Sequence, residues 1–148
     1  MYKCGILLFS SRMDLYAENI LDHYRHPRHK EKLSSPSVMH EEVNLSCGDA
    51  LTVQLLIKDD RVQDIGWEGT GCAISQAAMS MLSEELTGKS FTEIEGMQTT
   101  DINEMLGVPI GPRRFKCAYL CLHTLKNALR KFRNEQPQGW METVGAPL

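Results

Sequence analysis

The stretch Leu51-Thr52-Val53-Gln54-Leu55-Leu56-Ile57-Lys58-Asp59-Asp60-Arg61-Val62-Gln63-Asp64-Ile65-Gly66-Trp67 decides the fold. Leu51, Val53, Leu55 and Ile57 recur at every second position, the period of a strand with one face in a core. Asp59-Asp60 breaks the run as a tight turn, and Val62, Ile65 and Trp67 form a returning strand, with Trp67 read as a core residue. Upstream, Val43 and Leu45 alternate with polar neighbours, and Gly48-Asp49 marks another turn. The expectation is a three-stranded antiparallel meander with Cys47 and Asp49 at its first turn.

Helical spacing flanks this meander. Leu15, Ile20, Leu21 and Tyr24 predict a first helix from about Asp14 to Tyr24, capped by Asp14 and ended by Pro27. An exposed connection follows from His26 to Pro36. Beyond Gly69-Thr70-Gly71-Cys72, the residues Ile74, Ala77, Ala78, Met81, Leu82 and Leu86 predict a helix stopped by Gly88. Two short helices are expected over Phe91 to Gly96 and Asp101 to Leu106, the second capped by Thr100 or Asp101. Gly107, Pro109, Gly111 and Pro112 break the chain before a long last helix carrying Leu120, Leu125, Ala128, Leu129 and Phe132. The class is therefore α+β, a three-stranded antiparallel sheet packed against several helices in two layers.

The 148 residues suit one domain, placed at 13–133 between a loose amino-terminal extension, 1–12, and a disordered tail, 134–148. Sixteen Lys and Arg against nineteen Asp and Glu give a net charge of −3, which supplies no drive toward nucleic acid or anionic membranes. The apolar run Gly5 to Phe9 falls far short of the roughly 18 residues a membrane helix needs. A soluble, cytoplasmic protein with neither nucleic acid nor membrane as partner is expected. Met79, Met81, Met97 and Met105 read as core filler, and His23, His26, His29 and His40 as surface. His123 reads as packing or surface.

Five cysteines, an odd number without a secretory signal, argue against a disulfide framework and for reduced thiols. Cys47, Cys72 and Cys117 each stand at the mouth of an element beside glycine or a chain break, where loop ends converge. Helix amino ends favour a thiolate, the form that binds metal or attacks sulfur. Asp49 can bring its carboxylate beside Cys47 and complete a set of three thiolates and one carboxylate. Structural zinc sites mostly use Cys and His alone, so a hard oxygen among soft sulfurs suits a site that exchanges its contents. Such a set leaves surplus negative charge around a divalent ion, which Arg113, Arg114 and Lys116 can offset. Isolated cysteines are otherwise often buried small hydrophobes, a reading that fits Cys121 best. Cys4 is incidental, and Lys116 is either a solvated cation or a neighbour of the thiolates.

From about Met13 to Phe132 the chain resembles the U-type iron-sulfur assembly proteins, comprising IscU, SufU and the amino-terminal domain of NifU. The resemblance is carried by Leu15-Tyr16 through Ile20-Leu21-Asp22-His23-Tyr24 with Pro27, by Asn44 to Asp49, by Gly69-Thr70-Gly71-Cys72-Ala73-Ile74-Ser75-Gln76-Ala77, and by Pro112 to Leu120. It implies a SufE/NifU-like two-layer fold and a metal site of Cys47, Asp49, Cys72 and Cys117 holding Zn2+ or a transient [2Fe-2S] cluster. It further implies a cysteine desulfurase as sulfur donor, docked in part by the first helix, and downstream iron-sulfur carrier or scaffold proteins. Members like IscU are scaffolds, whereas SufU-like members bind zinc and relay sulfur, with Cys47 as the attacking thiol. Pro112, Arg114, Lys116 and Cys117 match the SufU pattern Pro-x-Arg-x-Lys-Cys, and the Leu-Pro-Pro-Val-Lys stretch of the IscU branch is replaced here by Gly107 to Arg113. The usual SufU insertion between the second and third cysteines is missing. A zinc-binding interaction module without sulfur transfer is the alternative from another class.

Overall fold

The computed structural model describes residues 15–145. Cys4, the Asp14 cap and the expected extension over 1–12 lie outside these residues. Helix α1 spans 15–25. Three strands follow, β1 (Val38–Asn44), β2 (Asp49–Lys58) and β3 (Arg61–Thr70), paired antiparallel in the order β1-β2-β3. The remaining helices are α2 (Ala73–Leu86), α3 (Phe91–Glu95), α4 (Thr99–Leu106), α5 (Phe115–Phe132) and α6 (Trp140–Val144). A three-stranded antiparallel sheet with helices packed on it is the class that the alternating pattern predicts.

Alternation in β2, and in β3 beyond a register shift opposite Leu56 and Ile57, builds the core directly. Leu51, Val53 and Leu55 of β2 and Val62, Ile65 and Trp67 of β3 are all fully buried. Asp59 and Asp60 both take positive φ, 54° and 57°, the two-residue turn whose twist matches a hairpin. On this face α5 packs over β1 and β2, while α2 packs on β3 and against α5. Met79, Met81 and Met97 are buried in this core, and Met105 packs against it. Part of the outer sheet face is covered by the connection after α1, where Gln54 Oε1 accepts the Leu33 N–H at 2.9 Å. That connection also accepts the Trp67 indole N–H on the Arg28 carbonyl, at 2.7 Å.

Four expectations need correction. β1 presents Val38, His40, Glu42 and Asn44 inward, so Val43 is exposed and Leu45, at 90% exposure, lies in the turn rather than the strand. A shift of one residue exchanges the two faces of a strand, and the partner here is the polar side of α5. The turn itself covers Leu45 to Gly48, and Asp49 is the first residue of β2. Helix α4 is capped by Gln98, whose N–H is held by the Asp101 carboxylate at 2.7 Å, rather than by Thr100 or Asp101. His23 is buried, with Nδ1 2.7 Å from Ser80 Oγ and Nε2 3.5 Å from Glu84, and it ties α1 to α2.

The tail 134–148 was also expected to be disordered, but its described residues, 134–145, fold back over α5. Trp140 stacks on His123 with ring centroids 4.2 Å apart, and Thr143 Oγ1 lies 2.6 Å from His123 Nδ1. Asn127 and Gln138 pair through the Gln138 N–H donating to Asn127 Oδ1 at 2.8 Å and Asn127 Nδ2 donating back to the Gln138 carbonyl at 3.2 Å. The buried polar residues His123 and Asn127 thus find partners in the tail and in Glu42 of β1. No helix among the described residues is long and apolar enough to cross a membrane.

Candidate metal centre

The site lies where the β1–β2 turn meets the amino ends of α2 and α5. Gly48, at φ +74°, lets the chain reverse and carries the exposed Cys47 beside the buried first residue of β2, Asp49. Cys117 stands buried in the first turn of α5. Cys47 Sγ donates to Asp49 Oδ2 at 2.8 Å and lies 3.1 Å from Cys117 Sγ. One ligating atom each from Cys47, Asp49 and Cys117 lies within 4.8 Å of the others.

Cys72 arrives differently. It is the cap residue of α2, half-buried, and its backbone N–H donates to Asp49 Oδ1 at 2.8 Å. Its sulfur is not part of that close group. Electrostatically the Cys72 thiol still counts among the groups that act on Cys117. Geometry therefore gathers three of the four expected side chains and anchors the fourth through its backbone. Gly71 makes this approach possible: its φ is +144°, and a Cβ there would run into the Asp49 carboxylate.

Charge balance in the cluster is set by burial first. Burial pushes the Cys47 thiol up, and its bond to Asp49 adds to the effect. Cys117 is also pushed up, by burial and then by Asp49, Cys47 and Cys72. The helix-end setting led to the opposite expectation, but at this position burial and a neighbouring carboxylate outweigh the dipole. Asp49 would be raised by burial as well, yet hydrogen bonds from the Cys47 and Cys117 thiols and the Cys72 N–H hold it below the usual carboxylate range. Protein groups alone thus favour one anion beside Cys47 and Cys117 in their protonated forms, and a cation is what would draw off those protons.

The donors fit such a cation. A metal with bonds of about 2.3 Å to sulfur holds two sulfurs roughly 3.8 Å apart in a tetrahedron, so the Cys47–Cys117 pair needs to open by well under an ångström. The cations expected to offset its charge flank Cys117 in the chain at the start of α5. Arg113 and Arg114 are exposed, and the Lys116 ammonium sits 5.9 Å from the Trp140 ring centre. Cys121 is fully buried, donates to the Ala118 carbonyl at 3.5 Å, and is pushed up to about 12 by burial, the state of a packing thiol.

One residue of the site was passed over in the sequence. Asn44, buried at the end of β1, donates through Nδ2 to Cys47 Sγ at 2.7 Å. The signal available was its place three residues before Cys47 with a side chain able to shape a turn.

The family model "NifU-like N terminal domain" matches residues 15–138. The chain belongs to this family. Among relatives, the iron-sulfur cluster assembly scaffold protein IscU of Thermotoga maritima is 33% identical over 133 residues, covering 79% of this chain and 94% of the relative. The zinc-dependent sulfurtransferase SufU of Bacillus subtilis is 31% identical over 141 residues, covering 83% and 95%. Among solved structures, a protein of Fervidobacterium islandicum AW-1 described as an iron-sulfur cluster assembly scaffold for the SUF system superposes with a TM-score of 0.65 at 32% identity, covering 76% of this chain and 94% of that one. The amino-terminal part of a nitrogen-fixing NifU-like protein from Brucella abortus gives 0.68 over 83% and 97%, and at 20% identity it speaks for the fold alone.

Proposed function

We propose that this NifU-like domain serves iron-sulfur cluster assembly by accepting sulfur from the persulfide of a cysteine desulfurase at Cys47, with Asp49, Cys72 and Cys117 as the other groups of a metal site. The observation that carries the reading is a buried carboxylate, Asp49, within hydrogen-bond reach of the thiol of an exposed cysteine, Cys47, which also touches Cys117. Relatives named for cluster assembly and for zinc-dependent sulfur transfer, each about a third identical over most of the chain, support the same reading.

Each side chain has a part that follows from its place. Cys117 and Asp49 are buried and fixed by α5 and β2, so they serve as the standing walls of the site. Cys47 rides on a glycine turn exposed to solvent, where a side chain can move without unravelling an element. Its thiolate attacks the outer sulfur of the donor persulfide. A new S–S bond forms on Cys47, the old one breaks, and the electron pair leaves on the donor cysteine as thiolate. A bound zinc ion would supply the positive charge that keeps these thiols deprotonated between transfers.

A second reading, favoured by the length between Cys72 and Cys117, makes the same residues a scaffold on which a [2Fe-2S] cluster is built as cargo. Anaerobic purification followed by metal analysis and an absorption spectrum separates the two. Zinc with no visible absorption supports the relay, and iron with sulfide and a visible band supports the scaffold. Absence of any bound metal after loading with either would overturn both.

A further inference from the structure

We propose that Asn44 is a positioning residue for Cys47, holding the sulfur at the mouth of the site while its other contacts change; the inference rests on Cys47 being the sulfur acceptor. Asn44 is the last residue of β1, pairs in register with Asp49, and is 3% exposed. Its backbone carbonyl accepts the Gly48 N–H at 2.8 Å, closing the turn that carries Cys47. The two ends of its side chain do separate work. Oδ1 accepts the Ser46 N–H at 3.2 Å and shapes the turn, while Nδ2 donates to Cys47 Sγ at 2.7 Å.

The three contacts that the Cys47 sulfur makes among the described residues differ in what they require. Its bond to Asp49 Oδ2 exists only while the sulfur carries a proton, because a thiolate beside a carboxylate is repelled. Its contact with Cys117 Sγ likewise needs a proton or a cation shared between the sulfurs. The Asn44 amide is a fixed donor that can serve a thiol, a thiolate, a metal-bound thiolate or a persulfide alike. It is thus the one contact that persists when Cys47 leaves its neighbours to react. Because Cys47 is exposed and its turn has open space around Gly48, removing this donor frees the side chain toward solvent.

The test compares Asn44→Asp, Asn44→Ala and wild type. Asn44→Asp retains the acceptor for Ser46 and the side-chain shape but replaces the donor facing sulfur by an oxygen. Two readouts are taken on protein loaded with Co2+ or Zn2+. In the Co2+ form, loss of a hydrogen bond raises the energy of the sulfur electrons, so the thiolate-to-cobalt charge-transfer band should move to longer wavelength in both variants. In the Zn2+ form, desulfurase turnover should fall roughly 10- to 100-fold in kcat, with the KM for this protein little changed, as for other residues that orient a metal ligand. An unshifted band in both variants, or Asn44→Asp turning over like wild type, would overturn the proposal. Should wild type itself fail to stimulate the desulfurase, the acceptor reading fails, whereas the cobalt band still reports whether Asn44 bonds the sulfur.

Discussion

Asp49 Oδ1 accepts the backbone N–H of Cys72 at 2.8 Å, so the residue that opens β2 is bonded to the residue that caps α2. The other oxygen of the same carboxylate holds the Cys47 thiol. Replacing Asp49 by Ala should therefore lower the stability of the metal-free protein by about 1–3 kcal/mol, the usual cost of stranding a buried hydrogen-bond partner. Metal content after purification should nevertheless stay at or above the wild-type level, because the displaceable ligand is gone and the sulfurs remain. A module whose metal only braces the fold would lose metal and stability together.

Two glycines separate turn geometry from site geometry. Gly71→Ala places a methyl group against the Asp49 carboxylate, which must break the bond that seats the adjoining Cys72, so it should reduce metal affinity through the displaced Cys72 sulfur as well as reduce stability. Gly48→Ala meets open space, so it should cost only the strain of a left-handed residue, about 1–2 kcal/mol, and keep the metal. Chelator titrations of both variants against wild type check this, and equal loss of affinity would contradict it.

Alkaline pH should destabilise the metal-free protein. Cys47, Cys117 and Cys121 are all raised in the folded state, so the fold holds protons that the unfolded chain releases above its ordinary thiol range of about 8.5. Their contribution is fully present below that pH and is lost as pH climbs toward the folded values. For the fully buried Cys121, raised to about 12, the loss approaches 1.4 kcal/mol per pH unit across that window. Urea denaturation between pH 8 and 10 should show the slope, and Cys121→Ala should flatten it.

Deleting residues 135–148 should lower the melting temperature by roughly 4 °C or more, since His123 and Asn127 would lose buried partners. Trp140→Ala should give part of the same loss. A melt unchanged by the deletion would show that the contacts of the tail with α5 contribute nothing to stability.

Alternation made β2 legible and the returning apolar residues made β3 legible, although the register shifts between Leu56 and Ile57 and leaves the buried Val62 and Ile65 three residues apart. The same rule misassigned β1, whose inner face beyond Val38 is His40, Glu42 and Asn44, since Glu42 meets Asn127 and His123 of α5 and Asn44 bonds within the turn, which leaves no hydrophobic period to read. His23 looked like a surface residue for a related reason: its burial depends on Ser80 and Glu84, 57 and 61 positions away, which local pattern cannot place. Helix α6 is too short to show a readable period: it is held by the Trp140 ring stacked on His123, by a few hydrogen bonds, and by Val144, which with Trp140 packs against the core. In the candidate site, glycine turns and helix starts pointed to Cys47, Asp49 and Cys117, whereas the backbone role of Cys72 and the amide of Asn44 became visible only in the folded chain.

The most direct test of sulfur acceptance at Cys47 is the turnover of a cysteine desulfurase, followed as alanine and sulfide release with reductant. Wild type, Cys47→Ala and Cys121→Ala are compared at matched circular dichroism. Wild type and Cys121→Ala should both raise turnover, while Cys47→Ala, folded and still holding two sulfurs and a carboxylate, should not. Undiminished stimulation by Cys47→Ala would contradict the account.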